Sequence, residues 1–182
     1  MKVLIVTGLL LILIALGLAY ITVSGIGETV LSTNERTFEE ADNIQTAQVV
    51  SVIDGETIIL KDQRRVRYLG LRVPTLAKSG QPAQCFAAEA KAANEKLTLG
   101  KTVRLEKDVT NRDPSGKLLR YVYVNDNEGH EIFVNDYLLR FGFARFFSPL
   151  TDTAQQDTLL LAVQRAQFQE RGLWLACPGQ SR

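Results

Sequence analysis

Two neighbouring stretches constrain what this chain can fold into. They read Val50-Val-Ser-Val-Ile-Asp54-Gly55-Glu56-Thr57-Ile-Ile-Leu60 and then Val66-Arg67-Tyr-Leu-Gly70-Leu-Arg72-Val73-Pro74-Thr75. β-Branched and apolar residues fit a pleated, half-buried surface, and Asp-Gly between two such runs is a strong two-residue hairpin signal. Gln48 to Ile53 and Thr57 to Leu60 are therefore expected as paired strands. Lys61-Asp62-Gln63-Arg64 makes a second turn, and Arg65 to Leu71 a third strand. Pro74 ends that strand because it has no N–H to give to a ladder. A loop follows from Thr75 to Pro82.

Beyond the loop the period changes. Ala83 to Leu99 places Phe86, Ala90, Ala93 and Leu97 three and four apart, the spacing of an amphipathic helix, and Gly100 stops it. Thr102 to Glu106 alternates as a strand, with Val103 and Leu105 on one face. Asn111 to Lys117 is a loop around Pro114 and Gly116, and Leu118 to Val124 is the next strand. A polar turn from Asn125 leads to the extended Glu131–Phe133, then to a short helix over Val134 to Phe141. Thr153-x-x-Gln156 before Leu159, Leu160, Leu161 and Val163 reads as a capping box opening a last helix, which ends near Gly172 with Trp174 docked on the core. Five strands with a helix between the third and fourth match the Greek-key barrel of an OB-fold. The expected class is α+β, a five-stranded OB-fold Greek-key β-barrel with three helices.

The front of the chain is different in kind. Val3 to Ile26 carries no charge and is rich in Leu, Ile, Val and Ala. Roughly 20 such residues cross a ~30 Å hydrocarbon layer, whereas a cleaved signal has an apolar region of about 7–15. Residues 1–26 are read as a transmembrane anchor, with a cleaved signal or a buried helix as the alternatives. Residues 27–46 are polar and acidic and read as a stalk, 47–176 as one barrel domain, and 177–182 as a tail. Lys2 precedes the run, while Glu28, Glu35, Glu39, Glu40 and Asp42 follow it with Arg36 alone. That bias places the bulk of the chain outside the cytoplasm, at the cell membrane.

Cys85 and Cys177 are the two cysteines and lie in no CxxC or Cys/His cluster, which argues against zinc. In an oxidising compartment they form one disulfide; otherwise they are two buried thiols. Removing Lys2 and Arg36 from the 21 basic residues, and the five acidic residues before 47 from the 20, leaves 19 against 15 in the domain. A balance so mildly basic does not by itself argue for a polyanion partner, so nucleic-acid affinity has to come from a local patch.

The opening hairpin resembles that of the staphylococcal nuclease (thermonuclease) family, whose pattern runs I-D-G-D-T and then V-R-L-x-G-I-D-T-P-E. Further matches are Glu89-Ala90, Asp113-x-x-Gly116-Lys117-Leu-Leu-Arg-Tyr121-Val-Tyr123, Val134-Asn135-x-x-Leu138, Gly142-Phe-Ala144 and Gly172-Leu-Trp174, in family order over residues 47–174. The resemblance implies the same barrel. Cysteines at similar places in secreted members favour the Cys85–Cys177 bridge. It also implies calcium on two aspartates and a threonine carbonyl, two arginines on the phosphate and a glutamate that activates water.

Transferred position by position, Arg67 is the first phosphate arginine and Lys117 stands at the second. Glu56 is at the first aspartate, Arg72 at the second, Val73 at the threonine and Thr75 at the glutamate. Calcium takes 6–8 oxygens with several carboxylates, and Asp54 with Glu56 is the pair left to offer it. Thr75 has no useful basicity near neutral pH. Arg72 is expected to pair with Glu56 and to stand in for the ion's charge. Tyr121 and Tyr123 share a strand face, either packing in the core or stacking on bases. The expected function is a binding module for DNA, RNA, another anionic ligand or a protein, with reduced or no nuclease activity. The alternative is an active metal-dependent endonuclease.

Overall fold

The long first strand does the work of two because it bends. A computed structural model describes residues 44–147, 151–177 and 179. In it β1 (Ile44–Asp54) pairs antiparallel with β2 (Thr57–Leu60) through its second half, with register shifts between Val49 and Ser51 and between Val52 and Asp54. Such irregularities bend a strand and increase its twist. The first half of β1 turns to β5 (Thr102–Glu106), Ile44 opposite Glu106 and Gln48 opposite Thr102.

β2 pairs with β3 (Arg65–Tyr68), and β5 with β6 (Leu118–Asn125). A parallel pairing of β3 with β6 then closes the ring: Val66 faces Leu118, Arg67 faces Leu119, Tyr68 faces Arg120. Closure leaves the five strands without an open edge. The result is the expected α+β, five-strand barrel with helices around it. Val49, Ile58, Leu60, Val66, Val103, Leu105 and Val122 are buried members of one continuous core.

Gly70 ends β3 early. Its φ is +75°, and a Cβ there would lie 2.2 Å from Leu159 Cδ1, so the chain turns where only glycine fits. The third strand is thus not one run from 65 to 71. β4 (Leu71–Arg72) leaves the barrel and pairs with β8 (Arg145–Phe146). Between them lie α1 (Ala87–Thr98), β7 (Glu131–Phe133), which extends β6 as a hairpin, and α2 (Val134–Arg140).

Other boundaries also move. Residues 44–46, expected as the end of the stalk, already pair with β5. α1 begins at Ala87 rather than Ala83, because Phe86 before it takes a left-handed conformation at φ 71°. No capping box forms at Thr153: the residue before α3 (Gln156–Phe168) is Gln155, and no side chain caps the helix. α3 also stops at Phe168, and a single turn, α4 (Leu173–Ala176), follows Gly172 and packs Trp174 on the core.

Cys85 and Cys177 form the disulfide, tying the approach to α1 to the end of α4. The apolar run of residues 3–26, read as an anchor, lies outside the described residues, as do residues 27–43 of the stalk. Among the described residues no helix is long and apolar enough to cross a membrane.

Candidate functional site

The Asp54-Gly55 turn is the foundation of the site. A Cβ on Gly55 would fall 2.9 Å from both Ala90 Cβ and Val73 Cγ1, so the turn is wedged between α1 and the segment after β4. Asp54 Oδ1 accepts the Glu56 N–H at 2.9 Å. Asn94 of α1 is fully buried; its Nδ2 donates to the Asp54 carbonyl at 2.9 Å, and its Oδ1 accepts the Tyr68 hydroxyl at 2.8 Å. Asn94 therefore clamps the turn to both helix and barrel. Replacing it by alanine strands the Tyr68 hydroxyl and the Asp54 carbonyl. Asn94→Ala is expected to lower stability by about 2 kcal/mol in urea unfolding, and a loss indistinguishable from zero would show that the clamp is idle.

Glu56 is 6% exposed and both of its carboxylate oxygens are in use. Oε1 pairs with Arg67 Nη2 at 2.5 Å, and Oε2 accepts the Val73 N–H at 3.1 Å. Burial raises its pKa above the usual carboxylate range, opposed by the charges of Arg67 and Arg72. Arg67 also lies 3.7 Å from Asp113 Oδ2 through Nη1. Asp113 Oδ1 accepts the Ser115 N–H, the Ser115 hydroxyl and the Lys117 N–H, and Lys117 Nζ is 3.5 Å from Oδ2. Burial pushes the Asp113 carboxyl up, but the Ser115 hydroxyl and the N–H and charge of Lys117 outweigh it, so it sits below its ordinary range.

Asp113 thus holds Arg67 and Lys117 side by side. They line a cavity of about 400 Å³ together with Asp54, Glu56, Thr57, Lys78 and the strip from Val73 to Ala77. Asp54, Glu56, Arg67 and Lys117 are brought together as expected from the sequence, and Thr75 is at the same wall. Among the described residues no group of three or more His, Cys, Asp or Glu side chains could hold a metal ion.

Two expected roles are not met. Arg72 does not pair with Glu56; Arg67, one strand closer, takes that carboxylate. The Arg72 side chain leaves the cavity wall, donates from Nη1 to the Leu71 carbonyl at 2.9 Å and lies over the Phe147 ring, with Cζ 3.9 Å from the centroid. Burial, then repulsion from Arg67, lowers its pKa, and Glu56 and Asp113 oppose the shift. Tyr121 is 1% exposed, so it has no face for a base. Its hydroxyl donates to Asp108 Oδ2 at 2.9 Å, and its ring meets Phe133 edge-on at 6.0 Å. Tyr123 is likewise covered, stacked on Phe133 at 4.6 Å with Arg104 above it. The Phe133 ring from the neighbouring β7 lies against both tyrosines, and Asp108 and Asp152 close over the Tyr121 hydroxyl.

Asn94 and Asp113 are the supporting residues that sequence reasoning missed. Asn94 had a signal, since it falls four after Ala90 and three before Leu97, a polar residue on an apolar stripe. Asp113 was visible only as part of a motif.

A family model described as "Staphylococcal nuclease homologue" matches residues 65–176. The chain belongs to this family. The thermonuclease of Staphylococcus hyicus is 32% identical over 178 residues, covering 93% of this chain and 97% of that protein. The thermonuclease of Staphylococcus intermedius is 31% identical over 129 residues, 69% of this chain and 74% of its own. Endonuclease YncB of Bacillus subtilis (strain 168) is 29% identical over 126 residues, 67% of this chain and 58% of its own.

Proposed function

We propose that this domain is a nucleic-acid-binding module, taking a backbone phosphate of DNA or RNA between Arg67 and Lys117, with phosphodiester hydrolysis reduced or lost. The observation that carries this reading is the state of Glu56. Each of its oxygens already meets a protein donor. A calcium ion would have to strip Arg67 and Val73 from it, and would then find Asp54 as the other carboxylate on the wall. With both Glu56 oxygens committed to Arg67 and Val73, this pair is a poor offer to an ion that takes 6–8 oxygens. Thr75, at the water-activating position, has no basicity to draw a proton from water. Arg67 and Lys117, by contrast, both line the cavity beside Asp113, and a phosphate entering there would exchange the Glu56 contact of Arg67 and the Ser115 contact of Lys117 for its own oxygens.

The names of the relatives favour a second reading, a retained metal-dependent endonuclease. The test uses the full chain in mild detergent with a labelled single-stranded oligonucleotide. Binding without cleavage is expected in both calcium and EDTA, with affinity falling as salt rises. Arg67→Ala should reduce the salt slope by about one. Calcium-dependent cleavage that disappears in Glu56→Ala would establish the second reading instead.

The domain is further proposed to stand outside the cytoplasm on a membrane anchor at residues 1–26. The uncharged run from Val3 to Ile26 and a disulfide suited to an oxidising compartment support this. Retention in the membrane pellet after alkaline extraction, with the domain open to added protease on intact spheroplasts, is the expected result. A freely soluble product would overturn it.

A further inference from the structure

Phe147 is 42% exposed at the end of β8, outside the core. A single exposed aromatic needs no explanation, but this one is built into a fixed arrangement. Its N–H donates to the Gly70 carbonyl at 3.1 Å, which pins its backbone to the bend after β3. Arg72 lies on its ring, and β4 and β8 hold the two residues in register, with Leu71 opposite Phe146 and Arg72 opposite Arg145. Among the described residues no carboxylate lies within ion-pair distance of Arg72, which donates to its neighbour's carbonyl. A guanidinium has five N–H donors, so most of its capacity is unspent.

The position of this pair matters as much as its make-up. Val73, the next residue after Arg72, lines the cavity and donates its N–H to Glu56. Arg72 is therefore the next residue along the chain from the cavity wall, and its guanidinium is near enough to feel the charges of Arg67, Glu56 and Asp113. A nucleotide with its phosphate at Arg67 has its base to place nearby. Aromatic rings and arginine planes both accept unpaired bases, whatever their identity, because every base has a π face.

We propose that Arg72 and Phe147 form a platform on which the nucleobase adjoining the bound phosphate stacks, so that the preferred ligand is a single strand with its bases free. This rests on the nucleic-acid-binding reading and adds the chemical class of ligand. The stacking role that the sequence left open for Tyr121 passes to Phe147.

The experiment measures the affinity of the full chain, in mild detergent, for two labelled probes of equal length: oligothymidylate and an abasic deoxyribose-phosphate strand. Oligothymidylate should bind on the order of 10-fold more tightly, in line with the stacking contribution of one base. Phe147→Ala should erase that difference while leaving the abasic affinity in place, and Phe147→Trp should keep it. Arg67→Ala should weaken both probes. A ratio that survives Phe147→Ala overturns the platform and leaves the phosphate reading standing, whereas failure of the native chain to bind either probe overturns both. Should Phe147→Ala weaken both probes alike, Phe147→Trp decides, and equal affinity of that variant for the two probes overturns the platform.

Discussion

Replacing Cys85 and Cys177 together by alanine is expected to lower the unfolding free energy of the domain by about 4–5 kcal/mol. The bridge joins residues 92 apart in sequence. In the chain-entropy model, releasing a loop of that length frees the unfolded state by this amount. Domains are commonly stable by only about 5–15 kcal/mol, so the variant would stand close to unfolding. The effect reaches the site as well, because the bridge anchors the approach to α1, and α1 carries the Asn94 that holds the Asp54 turn. Urea unfolding of both chains gives the comparison directly. A loss below about 1 kcal/mol would mean that the open unfolded chain keeps these two ends together by other means.

Arg67→Ala should have the second largest effect, and its pH dependence separates it from ordinary loss of packing. Removing the arginine leaves a carboxylate unpaired in a buried place. Breaking a buried pair in this way costs about 3–5 kcal/mol. The Arg67 side chain is 26% exposed, so solvent screening puts the expected loss near the bottom of that range, about 3 kcal/mol at neutral pH.

Burial already holds the pKa of Glu56 above its ordinary value, and Arg67 is the largest force pulling it down. Without Arg67 it climbs further. Between the unfolded and folded values the folded chain binds the extra proton, so stability falls as pH rises through that window. The penalty of Arg67→Ala should therefore be small near pH 4, where Glu56 is largely protonated in the variant, and full at pH 7. Adding Glu56→Gln keeps an acceptor for the Val73 N–H and should recover most of the loss. A penalty equal at both pH values, or no recovery in the double variant, would show that the pair is not the cause.

The hairpin, the strand at 102–106 and the helix after Phe133 were legible because each depends on local chemistry: turn residues, period and stops. Where the sequence reading slipped, a distant contact was responsible. Gly70 looks like an ordinary strand interruption until Leu159, 89 residues later, packs into the space a side chain would need. Thr153 and Gln156 have the letters of a capping box, but the turn before α3 places Gln155 at the helix start instead. For the site, residue types and order could be read directly, so Asp54, Glu56, Arg67 and Lys117 were found. The partner that each would choose could not be read.

By itself the sequence determined the order of the strands, the turn that carries the acidic pair, the cations facing it and the cysteines able to cross-link. Those follow from backbone preference and spacing within a few residues. Only the tertiary structure decided that Glu56 goes to Arg67, that Arg72 turns away onto Phe147, and that Tyr121 is buried against Phe133. Side-chain pairing is settled by distance and burial in three dimensions. Whichever cation the closed barrel brings nearest to a buried carboxylate neutralises it, and the other is left for different company.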